Sequence, residues 1–404
     1  MAMTVDTPRA GLIKPTEPSF FNRREVRQAI YQIALVVFLV AAFYMIISNA
    51  TENLRRQNIA SGFGFINRVS GFDISEQHLL GYFFNYDNVS TYGQAFLVGL
   101  GNTILVAVIG IIFASILGFV AGVSRLSKNW LIAKLATFYV EIGRNCPLLL
   151  QLFLWYFGVL KALPPPRQSY NFQDSVFLNV RGLFLPHVEW LTGSSFVFGM
   201  LAIGVIASFF VARWAKARQM ATGQQFPVGW TSLGLIVGLP VLMFLIMGRP
   251  VAFEYPKLTG FNFVGGSVIA PELVALILGL VFYTGTYICE IVRAGIAGVP
   301  SGQKEAARAM GLTTGQMMRL VIVPQAARII IPPLTSQYLN LTKNSSLAVA
   351  IAYPDLVNVA GTILNQTGQA VEVILMIMGV YLALSLLTSA FMNWFNKHMA
   401  LVER

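Results

Sequence analysis

Eight stretches of this sequence are apolar for long enough to cross a lipid bilayer, and they constrain the fold before anything else does: 30–49, 96–123, 136–160, 196–212, 231–248, 271–292, 324–351 and 371–395. In hydrocarbon every backbone N–H and C=O must be paired internally, which a helix of ~20 residues achieves across one bilayer core. The expected fold class is therefore all-α, a polytopic transmembrane helical bundle of about eight spans. Of the 404 residues, 56% are hydrophobic and 11% charged, a charged share less than half the ~25% of soluble domains. The first apolar stretch follows a basic run, as a secretory signal would, but it is as long as a span and lacks a small-x-small cleavage site, so we read it as a retained helix.

A formal net charge of +11 raises the question of a nucleic-acid partner. The basic residues sort by side of the membrane instead. With the N-terminus in the cytoplasm, Arg23, Arg24, Arg27, Arg125, Lys128, Lys134, Arg213, Lys216, Arg218, Lys304, Arg308 and Arg319 fall inside, while Arg55, Arg56, Arg68, Lys161, Arg167, Arg181, Arg249 and Lys257 fall outside. The inside excess is the positive-inside bias of membrane proteins. An even number of spans puts both termini in the cytoplasm, and a nucleic-acid partner is not expected.

The sequence also argues against catalysis. His78, His187 and His398 are scattered, with no HExxH spacing to hold a metal, and there is no GxSxG elbow. The dipeptide Gly-Lys occurs nowhere, which excludes a Walker A phosphate loop. The reading is of a chain that is not an enzyme and carries no cofactor or metal; any ATP would be bound by a partner. Cys146 and Cys289 both lie in predicted spans, where a structural disulfide is unusual.

Residues 1–29 are polar and read as a cytoplasmic tail, 30–49 as the first transmembrane helix, 50–94 as an external loop packed on the membrane face, and 397–404 as the cytoplasmic C-terminus. Pro164-Pro165-Pro166 should end the third span. Gly118/Gly122 and Gly234/Gly238 have the small-xxx-small spacing that lets membrane helices approach, although glycine is common in such helices generally.

The most specific segment is 298–324. Ser301 suits a helix N-cap, residues 305–310 are good helix formers, and Gly311 can take the left-handed conformation that ends a helix. Thr313 followed by Gln316 fits a capping box that starts a second helix. The segment is expected to form a compact helical knob on the cytoplasmic side. Elsewhere, Glu141 and Arg144 stand one turn apart inside an apolar stretch, and Glu290 and Arg293 repeat the spacing; such charges should pair or face water. Lys343, Asn344, Ser345 and Ser346 follow Pro332-Pro333, which should disturb helical hydrogen bonding. A broken helix beside polar groups suits a translocation path, and a lysine snorkelling to an interface suits the position equally well.

Glu305-Ala306-Ala307, then Gly311, then Pro324 resemble the EAA signature of ABC importer permeases. The stretch Tyr139-Val-Glu-Ile-Gly-Arg-Asn-Cys-Pro-Leu-Leu-Leu-Gln151 resembles the third span of polar amino acid permeases of the histidine and glutamine type, as do 324–333 and Lys343-Asn-Ser-Ser-Leu347; the stretch 99–163 looks closest to the general L-amino acid type. The resemblance implies a type I ABC importer permease-like fold in a bacterial inner membrane. It divides the chain into core parts 95–163 and 268–396 around an insertion, 164–267, with two extra spans. Coupling to a separate ATP-binding cassette ATPase would run through the 298–324 loop, by Glu305, Ala306, Ala307 and Gly311. The implied partners are that ATPase, a second permease subunit, a periplasmic amino-acid-binding protein, the amino acid substrate and membrane lipid. Glu141, Arg144, Gln151, Lys343, Asn344 and Ser345 are the candidates for the substrate path. The rival reading is a self-contained secondary transporter or channel that uses the intramembrane charges as ion sites.

Overall fold

The computed structural model describes residues 24–56, 62–75 and 86–399. Most of the predicted N-terminal tail, parts of the external loop (57–61, and 76–85 with His78) and residues 400–404 of the predicted C-terminus lie outside the described residues. Among the described residues seven helical runs are long and apolar enough to cross a bilayer. They fall within α1 (Arg24–Arg56), α2 (Tyr92–Ser124), α5 (Ser194–Thr222), α6 (Val228–Ile246), α7 (Pro271–Ala297), α9 (Thr314–Ile351) and α11 (Ala370–Met399).

The span expected at 136–160 is not one helix. It is α3 (Trp130–Asn145) followed by α4 (Leu148–Leu160), with Cys146 extended at φ −100°, ψ 124° and Pro147 capping α4. The residue before a proline is pushed out of the helical region, and proline lacks the N–H that would continue the ladder. Conversely, Pro332 and Pro333 were expected to break a helix and do not: both sit inside the Val323–Asn344 part of α9. That run leaves α geometry at Ser345, where a 3-10 segment carries it to Ile351, and it ends on Ala352 at φ 59°.

The centre of the bundle is the contact of α2 with α7. A Cβ added to Gly118 would lie 2.5 Å from the Ile288 side chain, and one on Gly122 would lie 2.8 Å from the Cys289 carbonyl oxygen. This glycine pair therefore serves close packing inside the chain. Around it, Ile288, Val292, Ile330 and Leu341 form one buried cluster, and Leu152, Leu276, Leu280 and Tyr353 another. The helix α10 (Leu356–Thr367) lies across α2 at Gly99, whose added Cβ would be 3.1 Å from Leu356 Cα.

At the end of α2 where Tyr92 lies, the described residues before the helix pack against the bundle. Phe65, Ile74 and Tyr86 are buried with Phe96 and Val359. The Tyr86 hydroxyl donates to the Phe72 carbonyl at 2.7 Å, and burial raises its pKa above the usual phenol value. The Glu372 carboxylate of α11 accepts from the Gly62 N–H and pins the loop.

The segment 164–267 contains β-structure that was not expected. Strands β1 (Tyr170–Phe172), β2 (Val176–Asn179), β3 (Gly182–Leu185) and β4 (His187–Trp190) precede α5. Strands β5 (Val251–Glu254), β6 (Lys257–Thr259), β7 (Asn262–Val264) and β8 (Ser267–Ile269) follow α6. They form an antiparallel sheet β1-β2-β3-β8 and the two ribbons β4-β5 and β6-β7. The register Leu183↔Ile269 to Leu185↔Ser267 ties the entry of this segment to its exit. Between them α5 and α6 form a hairpin, close enough that a Cβ on Gly204 would be 2.4 Å from the Leu235 carbonyl oxygen. Gly234 and Gly238 approach nothing within the described chain.

Candidate functional site

The 298–324 segment folds as the expected knob, opposite the β-strands along the connectivity of the spans. The helix α8 (Ser301–Ala309) begins after Pro300, which occupies the N-cap, so Ser301 is the first helical residue and does not cap. The helix ends on Gly311 at φ 77°, the left-handed region where a side chain is costly. The Gly311 N–H donates to Arg308 at 2.9 Å and the Leu312 N–H to Ala307 at 3.2 Å, a pattern that satisfies the terminal carbonyls. The predicted capping box is present: Gln316 Oε1 accepts from the Thr313 N–H at 3.0 Å and Thr313 Oγ1 accepts from the Gln316 N–H at 3.4 Å.

Ala307 is 1% exposed and packs in one cluster with Val299, Met317 and Ile322, which fastens α8 to the base of α9. Glu305, Ala306 and Gly311 are exposed, and Met310 is 72% exposed beside them. The four residues singled out from sequence thus divide: Ala307 holds the knob from inside, and the other three belong to its outer surface. Above the knob, an apolar cavity of about 370 Å³ opens between α2, α7, α9 and α11, lined by Phe119, Val292, Ile330 and Phe395.

The polar candidates do not form one cluster. Glu141 and Arg144 are exposed on α3 and do not pair with each other; Glu141 accepts from Asn145 Nδ2 at 3.2 Å, and the Arg144 guanidinium lies 5.4 Å from the centre of the Tyr287 ring. Glu290 does pair with Arg293, Nε to Oε1 3.0 Å, and also with Arg125 from the end of α2. Lys343 is exposed, Asn344 half-buried, and Ser345 buried with its hydroxyl on the Thr342 carbonyl at 2.7 Å.

Gln151 has a structural task. Buried in α4, it donates from Nε2 to the Gly143 carbonyl at 2.9 Å and the Cys146 carbonyl at 2.8 Å, so it staples the break between α3 and α4. Gln151→Leu leaves those carbonyls without the donor, at a cost of about 1–3 kcal/mol. Purified Gln151→Leu protein should melt several degrees below wild type, and an unchanged melting point would remove the staple role.

Sequence reasoning missed the polar seam around Asp355. This carboxylate is 0% exposed and caps α10 by accepting from the Asn358 N–H at 2.9 Å. From α2, Asn102 Nδ2 donates to the Pro354 carbonyl and Thr103 Oγ1 accepts from the Leu356 N–H, both at 2.9 Å. The Asp-x-x-Asn spacing before an apolar run was the available signal. Among the described residues no group of three or more His, Cys, Asp or Glu side chains has the arrangement to hold a metal.

Comparison with known proteins bears on this arrangement. The family model described as "Binding-protein-dependent transport system inner membrane component" matches residues 220–401. The chain is 54% identical to the general L-amino acid transport system permease protein AapQ of Rhizobium johnstonii, over 94% of this chain and 93% of that one. It is 49% identical to the putative amino-acid ABC transporter permease protein YhdX of Escherichia coli K12, over 95% and 97%. With the glutamate/glutamine/aspartate/asparagine transport system permease protein BztB of Rhodobacter capsulatus the identity is 39% over the whole of both chains. Coverage this complete leaves too few residues outside the alignments to omit 164–267.

Proposed function

Because the chain belongs to the inner-membrane permease family of binding-protein-dependent amino-acid transport systems, we propose that its α8 knob is the surface through which a separate ATPase subunit drives transport. The protein is an amino-acid import permease subunit of an ABC transporter and resides in the inner membrane. The observation that carries the coupling role is the division within α8: a buried Ala307 fixes the helix to α9, while Glu305, Ala306 and Met310 are presented outward. Ala307, packed with Met317 and Ile322, joins that outer surface directly to the base of α9. The missing Walker A loop in the sequence supports the need for a partner that binds ATP.

On this reading α3 and α4 together make an eighth crossing beside the seven long runs, so α8 faces the cytoplasm, both termini lie on the same side, and the β-strands face the periplasm, where a binding protein delivers an amino acid. A second permease subunit completes the path. The long apolar surface of α1, exposed throughout its most hydropathic stretch, supports an arrangement in which lipid or another subunit covers it. Exposed Glu141, Arg144 and Lys343 are the charges available to a zwitterionic substrate, with Asn344 beside Lys343; Gln151 and Ser345 act behind them, through the backbone they hold.

Gentle detergent extraction from the native membrane, followed by mass identification of co-purifying chains, tests the proposal. An ATP-binding subunit should co-elute, and vesicles of the complex should take up amino acid only with ATP. Isolation of this chain alone, with substrate flux that needs no ATP, would favour the secondary-transporter reading.

A further inference from the structure

The corner where the α5–α6 hairpin meets the β4-β5 ribbon encloses a groove that the transport reading leaves unused. It measures about 480 Å³ and is walled by Val188 and Trp190 of β4, Pro240 and Phe244 of α6, and Val251 and Phe253 of β5. The walls are apolar, and Arg249 is the one charged residue among those that line it. Strand alternation turns Glu189 and Glu254 to the other side of the ribbon, because their neighbours Val188, Trp190 and Phe253 face the groove. The groove therefore carries a single positive charge at an apolar slot.

Arg249 combines a strained backbone with an exposed side chain. Its backbone is left-handed, φ 59°, immediately after Gly248 at φ 72°; glycine would adopt this conformation more easily. Its side chain is exposed and no described residue accepts from the guanidinium, which leaves its N–H donors to water or to a ligand. Depth supplies the rest. The apolar run of α6 is 19 residues long and ends at Ile246, so at ~1.5 Å per residue it about matches the bilayer core and sets Arg249 at the headgroup level. Trp190, whose ring stacks edge-on with Phe198 at 4.9 Å, sits at the same level, as tryptophans at membrane interfaces do.

We propose that this groove is a binding site for one anionic phospholipid from the leaflet on the β-strand side, with an acyl chain against Trp190, Phe244 and Phe253 and the phosphate on the Arg249 guanidinium. Arginine suits a phosphate through two parallel N–H donors. No carboxylate lines the groove to meet an ammonium, which favours a phosphatidylglycerol headgroup over a zwitterionic one.

The test uses the full-length chain in phosphatidylcholine nanodiscs with increasing fractions of phosphatidylglycerol that carries brominated acyl chains. Bromine quenches tryptophan on contact, and the component lost in Trp190→Phe reports the groove. That component should saturate at a low phosphatidylglycerol fraction in wild type. Arg249→Gly, which relaxes the backbone and so does not threaten folding, should raise the half-saturating fraction roughly tenfold, the scale of one lost charge-assisted contact; Arg249→Lys should recover most of it. Equal half-saturation in Arg249→Gly, an identical saturable signal from brominated phosphatidylcholine, or a Trp190 that neither lipid quenches would each overturn the proposal.

Discussion

Under the coupling role proposed for α8, Ala306→Trp should lower ATP-driven amino-acid uptake roughly 30-fold or more, the scale expected when the centre of a protein interface is obstructed. The reason lies in the two faces of α8. Ala306 is exposed, so an indole there points away from the fold, whereas its neighbour Ala307 is buried against the base of α9. The variant should reach the membrane at the wild-type level and melt as wild type does, yet fail to retain an ATPase subunit on purification. Ala307→Trp should also lose uptake, but with a lowered amount of folded chain, because the indole would have to enter the cluster of Val299, Met317 and Ile322. Wild-type uptake by Ala306→Trp, measured in vesicles at matched protein level, would remove the outer face of α8 from the coupling route.

The second large effect is structural. Gly118→Leu should lower the melting midpoint of the purified chain by roughly 5–10 °C, since overpacking a tight contact costs about 1–3 kcal/mol and more where backbone is met. At Gly118 an added Cβ would already lie 2.5 Å from Ile288 and 2.9 Å from the Gly285 carbonyl oxygen, before the rest of the leucine is placed. The two helices would have to separate along their whole contact. Ile288→Ala in the same chain should recover part of the loss, a coupling that two independent sites would not show. Gly238→Leu, with nothing within 4 Å, is the control that should change little. A Gly118→Leu chain that melts like wild type would show that α2 and α7 are not packed as described.

What could be read from sequence was what depends on neighbours along the chain. Gly311 ends a helix because the left-handed turn there is local, and Thr313 with Gln316 closes a box three residues long. The spans follow from apolar length alone. The signal at Pro147 was equally local: an extended Cys146 before a proline is expected, yet the apolar run around it was read as one helix. Pro332 and Pro333 were misread in the opposite direction. Packing of α9 against α7 and α11 holds the helix through both prolines, a tertiary effect with no trace in the segment itself. The same limit hid the sheet. Strands of three or four residues have weak patterns, and β3 finds β8 only after two spans have intervened. Asp355 had a legible role as a cap, but its enclosure by Asn102 and Thr103 of a distant helix did not.

The pairing of β3 with β8 bears on how such a chain can be lengthened or shortened. It places the departure of the chain from α4 and its return to α7 at adjacent strands, and α4 itself packs on α7. Everything between is thus a closed detour that enters and leaves at nearly one point. Because the detour holds two membrane crossings, its excision preserves parity: α7 would still enter the bilayer from the same side, and every later segment would keep its orientation. A gain or loss of one crossing would invert the α8 knob to the far side of the membrane, whereas a paired gain or loss leaves it in register.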